Sequence, residues 1–180
     1  GNVTIPHHDS MNLIQFTITA WIKVPKIINP YQMIAGKEAW PDRNYSMWIR
    51  PGVMTFGFTT PGAAQDIQVG SKEVTDDKWH FVVGVADASK GKSSIWIDGK
   101  KEAEVDFNTK SGYGINESIV AFGRHWTRYT KGIIDDVGLF NVALTADDIK
   151  TIMDAGLGGV STAVSTRNKL AITWGEIRKR

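Results

Sequence analysis

The sequence predicts an all-β protein, an antiparallel β-sandwich or jelly roll, with one short helix late in the chain. Three observations predict it. Apolar and polar residues alternate in short runs such as QFTITAWIKV and SSIWIDGKKEAEVDF. Glycine, proline and Asp-Gly signals punctuate those runs. A single stretch, LTADDIKTIMDAG, carries helical spacing instead. Many short strands with regular turns fit a sandwich better than a layered α/β fold.

Each element follows from local chemistry. In QFTITAWIKV, Ile18, Ala20, Ile22 and Val24 share one face, while Thr17, Thr19, Trp21 and Lys23 share the other. YQMIAGK, NYSMWIR and VMTFGFTT continue the pattern, divided by Pro and Gly. KWHFVVGVAD reads as a buried strand after Asp76 and Asp77. Asp98-Gly99 joins two alternating runs, the signature of a tight hairpin. SIVAFG and GIIDDVGLF complete the strands. In the helix, Thr145 caps the N-terminus and Asp147 and Asp148 favour its positive end. Ile149, Ile152 and Met153 form its apolar face, and Gly156 stops it. GLGGVSTAV reads as a connector, and NKLAITWGEIRKR adds a short apolar run with a basic end.

The chain has 180 residues, which suits one domain with a full core. Lys and Arg total 21 against 19 Asp and Glu. That balance argues against a nucleic-acid partner recognised by charge. The absence of cysteine excludes disulfides and thiolate metal sites. No segment is long and apolar enough to insert into a membrane as a helix. The N-x-S/T sequons at Asn2, Asn44 and Asn116 matter only in a eukaryotic exported protein.

FTITAWIK, DDKWHFVVGVAD, IWIDGKK and, above all, KGIIDDVGLFNVALTADDI resemble the laminin-G-like, concanavalin A-like lectin/glucanase jelly roll. The resemblance runs from about Val3 to Gly156, and it implies that Trp79 and His80, which match the family's core motif, are packing residues. It implies a jelly-roll domain over 1–156 and a connector and tail over 157–180. It also implies a recognition module, secreted or at the cell surface: a carbohydrate binder first, a structural or adhesion module second, a glycan hydrolase third. The family's usual N-terminal strand is missing before VTIP. An open edge invites pairing, so the C-terminal tail or a neighbouring copy is expected to cover it.

Catalysis has one foothold. Glu102, Glu104 and Asp106 share a face in KEAEVDF, and paired carboxylates can cleave glycosidic bonds. The order departs from the hydrolases' usual E-x-D, and a solvated strand shows the same alternation. G-x-S-x-G and H-E-x-x-H are absent, as is a phosphate cradle in Gly112-Tyr113-Gly114 or Gly156–Gly159. His7-His8-Asp9 reads as a polar loop rather than a metal site. Calcium is the stronger metal expectation, since it needs hard oxygens and the resemblance implies a rim site. Asp135 is expected on the face of Val137 and Leu139, where a buried carboxylate would need a cation or hydrogen bonds. Asp136 is the second choice.

The richest binding chemistry lies in GRHWTRYTKG, residues 123–132. Sugars offer C–H faces to aromatic rings and hydroxyls to charged groups. Trp126 and Tyr129 stand there among Arg124, His125 and Arg128. The alternative is a lid in which the rings fold back and the cations stay solvated. A second loop, GKEAWPDRNY, offers Trp40, Asp42 and Arg43, with Pro41 opposing a strand. The expected ligand is a polysaccharide or glycan, an acidic one included, because Arg124, Arg128 and Lys131 can pair with carboxylates or sulfates.

Overall fold

A computed structural model describes residues 1–26, 31–39, 42–60, 63–109, 114–159 and 171–174. Trp40, Pro41, Gly112, Tyr113 and most of the tail fall outside them. Two six-stranded antiparallel sheets make the sandwich. The first runs β1 (Val3–Ile5), β10 (Val120–Phe122), β3 (Gln32–Ala39), β4 (Asp42–Arg50), β5 (Val53–Thr60) and β6 (Ala63–Glu73). The second runs β14 (Ala171–Trp174), β13 (Ile133–Phe140), β2 (Phe16–Lys23), β7 (Trp79–Asp87), β8 (Lys92–Ile97) and β9 (Lys100–Asp106). A two-stranded hairpin, β11 (Arg124–His125) and β12 (Arg128–Tyr129), stands apart from both.

Alternation decides what lies between the sheets. Ile18, Ala20 and Ile22 from β2 meet Met47, Ile49, Phe56 and Phe58 from β4 and β5 in one buried cluster. Gly84 lets the sheets approach there: a β-carbon at 84 would overlap the Phe56 ring. Phe16 completes the cluster with tilted or edge contacts to Tyr45, Phe56 and Phe58.

The reverse face of the second sheet is also apolar. Helix α1 (Ala146–Ala155) covers it, with Ile149 and Ile152 buried among Phe81, Val83, Val85 and Phe140. That is why β2 and β7 are buried on both sides. Thr145 and Asp148 form a reciprocal capping box at the start of α1, and Gly156, at φ +71°, ends it. Thr17 ties down the turn that leads into α1, donating to the Val142 carbonyl and accepting from the Leu144 amide.

Two expectations need correction. Trp79 is 44% exposed, whereas His80 is buried. The two His80 ring nitrogens sit 3.0 and 3.1 Å from Asp98 and Asp76, so the histidine alone is the anchor. Asp135 also departs from its expected face. It pairs with Trp21 on the helix-covered side, while Leu139 pairs with Ile18 on the core side. A β-bulge between Asp135 and Gly138 inserts one residue and inverts the alternation, with Asp136 at φ +45°. The tail strand β14 pairs with Val137–Phe140 of β13.

Candidate functional site

The outer face of the first sheet carries an open groove of about 250 Å³. Its floor follows from strand phase. Met47 and Ile49 point into the core, so Trp48 and Arg50 point outward. A bulge at Asn44 sets the neighbouring positions: Lys37 pairs with Tyr45 and Glu38 with Arg43, leaving Asn44 unmatched. The Asn44 amide turns inward to exchange hydrogen bonds with the Leu13 backbone. Arg43 and Glu38 are thereby presented to the groove.

The β11–β12 hairpin forms one wall. It leaves β10 through Gly123, at φ +71°, whose amide donates to the Ile34 carbonyl. Its return is fastened to β3 twice: the Thr130 hydroxyl donates to the Met33 carbonyl, and the Lys131 amide donates to Gln32 Oε1. The base is held firmly and the tip projects. Trp126 opens the two-residue turn at φ +54°, a backbone region where glycine is favoured and other residues are strained.

Glu38 joins floor to wall. Its Oε1 accepts from Trp48 Nε1 at 3.1 Å and lies 3.1 Å from Arg43 Nε, while Oε2 lies 3.2 Å from His125 Nε2. Thus one nearly buried carboxylate orients an indole, a guanidinium and an imidazole. The His125 ring meets Trp48 edge-on at 4.5 Å and stacks with Trp126 at 5.3 Å. Trp126 is nevertheless 66% exposed, and Tyr129 is 53% exposed. Neither ring is folded back as a lid. On the other side, the Arg50 and Arg128 guanidiniums lie 5.8 and 5.9 Å from the centre of the Tyr31 ring.

The residues expected from sequence divide here. His125, Trp126 and Arg128 line the groove, together with Asp42 and Arg43 from the second loop. Arg124 instead donates from Nε to the Trp126 carbonyl and braces the turn, and Tyr129 lies beyond the groove lining. Trp40 is outside the described residues. Tyr31, Glu38, Trp48 and Arg50 were not anticipated as site residues. Trp48 and Arg50 share a phase in NYSMWIR, which was the available signal, but periodicity does not say which face stays open.

The other sites look different. Lys101 pairs with Glu104, Lys92 with Asp106 and Lys100 with Glu102, so each β9 carboxylate has a lysine partner on a solvated strand. Asp135 and Asp136 remain side by side at the bulge, and the Asp136 amide donates to Asp135 Oδ1. Burial, then the Asp135 charge, raises the Asp136 pKa above the usual carboxylate range. Among the described residues no group of three or more His, Cys, Asp or Glu converges on a metal position.

The described residues thus form a β-sandwich with one sheet's outer face covered by α1 and an aromatic, charged groove on the other sheet. The chain belongs to the concanavalin A-like lectin/glucanases superfamily, whose Laminin_G_3 profile matches residues 1–150. No curated protein matches its sequence. Solved structures similar in fold include the binding domain of Paraclostridial Mosquitocidal Protein 1, with a TM-score of 0.69 and 14% identity, covering 86% of this chain and 41% of that one. The binding domain of botulinum neurotoxin DC, solved in complex with SialylT, gives 0.68 at 22% identity, covering 86% and 40%. A Bacteroides ovatus protein described as a carbohydrate-binding candidate gives 0.65 at 19% identity, covering 81% and 42%. The chain therefore spans about two fifths of the length of these neighbours, and what it shares with them is the fold.

Proposed function

We propose that this chain is a non-catalytic glycan-binding module of an exported or surface protein, and that the groove beneath the β11–β12 hairpin is its site. The exposed Trp126 ring, held in a strained turn above a groove lined by aromatic and charged side chains, carries the reading. A pyranose C–H face packs on the indole, and ring hydroxyls meet Asp42 and the groove arginines. The fold neighbours with carbohydrate-related descriptions support the same class. The test is retention on a panel of immobilised polysaccharides, with Trp126→Ala checked for an unchanged melting temperature. Binding that requires Trp126 supports the reading; wild-type retention on no glycan sinks it.

Calcium belongs to the same proposal as an accessory at Asp135 and Asp136. The pair offers hard oxygens, and a cation would offset the burial and the neighbouring Asp135 charge that raise the Asp136 pKa. Backbone carbonyls and water would supply further ligands. Repeating the panel with chelator separates a calcium-dependent binder from one that uses the groove alone.

A second reading, association through an edge, has its own observation. An apolar groove of about 410 Å³ lies between β1 and the start of β13, lined by Val3, Phe122, Ile134 and Val137, with Ile133 half exposed beside it. Concentration-dependent size in light scattering, lost in Ile133→Lys, would favour this adhesion or structural role.

A further inference from the structure

We propose that Lys37 and Asn116 form an isopeptide bond, an amide joining Lys37 Nζ to Asn116 Cγ within the folded chain. Lys37 lies fully buried on β3. Its Nζ is 2.9 Å from Asn12 Oδ1 and 3.2 Å from Asn116 Oδ1, and it also meets the Asn116 backbone carbonyl. All three of these oxygens are neutral carbonyls. A buried ammonium surrounded by neutral acceptors is costly. Burial accordingly pulls the Lys37 pKa below its ordinary value, against the opposing charges of Glu117 and Asp9. The shift favours the neutral amine, which is the nucleophilic form. A neutral amine has two N–H groups. They suffice for Asn12 Oδ1 and the Asn116 backbone carbonyl, which leaves the lone pair for the Asn116 carboxamide.

That carboxamide is held ready for attack. Its Oδ1 accepts from the Ser118 amide at 2.9 Å, a fixed donor at the oxygen where charge develops. Its Nδ2 donates to the Gly114 carbonyl at 2.8 Å, which fixes the plane of the group. Asn12 Oδ1 has no second donor among the described residues. The step balances with no co-reactant. The Nζ lone pair forms the new bond to Cγ, the Cγ–Nδ2 bond breaks, and one Nζ proton passes to Nδ2, which leaves as ammonia. Glu117 and Asp9, whose charges act on Lys37, are the carboxylates able to relay that proton. The product would tie β3 to the segment entering β10, 79 positions along the chain. Lys37 already pairs with Val120 of β10. In a chain without cysteine, this bond would restrict the unfolded state as a disulfide does.

The experiment is mass spectrometry of the full chain, intact and after digestion. The expected intact mass is lower than that of the sequence by one ammonia. Digestion should give a branched peptide joining Lys37 to Asn116, with no tryptic cut at Lys37. Lys37→Arg and Asn116→Ala should each show the full mass of its own sequence. A wild-type chain at its sequence mass overturns the proposal, and that spectrum decides the matter whether or not a variant folds. Loss of ammonia with no branched peptide marks a cyclic imide at an asparagine and overturns it too. A branch at Asn12 overturns the choice of Asn116. Full linkage in the Asp9→Asn, Glu117→Gln double variant overturns the relay.

Discussion

The two sheets present outer faces of opposite character. On the second sheet, Phe81, Val83, Val85 and Phe140 form an apolar surface, and α1 seals it with Ile149 and Ile152. On the first, Trp48, Arg50, Glu38 and Arg43 are left beneath a hairpin that roofs one side only. The same pleat and the same antiparallel pairing serve both. The difference lies in where the sandwich places its helix, which covers one outer face and leaves the other accessible. The sealed face buries area, and the open face holds chemistry.

Ways to break that division run from large effects to small. Gly84→Val should be the most severe, because the added side chain collides with Phe56 between the sheets; about 3 kcal/mol or more of stability should be lost by denaturant unfolding. Ile152→Ala on the sealed face should cost about 2–4 kcal/mol through cavity formation, with glycan affinity unchanged in the protein that remains folded. Glu38→Ala should act on both properties. It removes the carboxylate that orients Arg43 and takes the acceptor from the Trp48 indole, costing about 1–3 kcal/mol, and releases His125 from beneath Trp126, so affinity should fall in parallel.

Trp126→Gly sharpens the comparison furthest. Glycine relieves the φ +54° backbone, so thermal stability should rise by about 1 kcal/mol while binding is lost. A variant that is both more stable and inactive would mark the hairpin tip as strained for function. Asp136→Asn should have the smallest effect. Since folding raises the Asp136 pKa, the ionised group opposes folding above that raised value and ceases to do so below the unfolded-state value. The substitution should therefore stabilise at neutral pH in chelator and give no gain in acid. In calcium the gain should shrink or reverse where the pair holds the ion.

Much of the fold was legible because it rests on local rules. Alternation marked the β2 core face, Asp98-Gly99 marked a hairpin, and Thr145 and Gly156 marked the helix ends. The lining of the candidate groove was half legible. His125, Trp126 and Arg128 stood out because aromatic and cationic residues crowd a short loop between apolar strands. Glu38 and Trp48 did not, since their roles depend on which sheet face the helix covers. That is settled by topology over long separations. The phase error at Asp135 has a similar origin: a bulge inserts one residue, and nothing in IIDDV announces it. Trp79 misled because its neighbour His80 carries the buried contacts of the motif.

The fastening of the hairpin to β3 has a kinetic consequence. The Thr130–Met33 and Lys131–Gln32 hydrogen bonds span 97 and 99 positions of chain. Closing so long a loop costs entropy before any contact repays it. The strands β3, β4 and β5 are joined by short connections and can pair early, whereas the wall of the groove must wait for β10 to insert between β1 and β3. Ligand capture should thus not precede the docking of β10 on β3 during refolding. It would lag behind the local hairpins of the first sheet, as a clock for this long-range step of assembly.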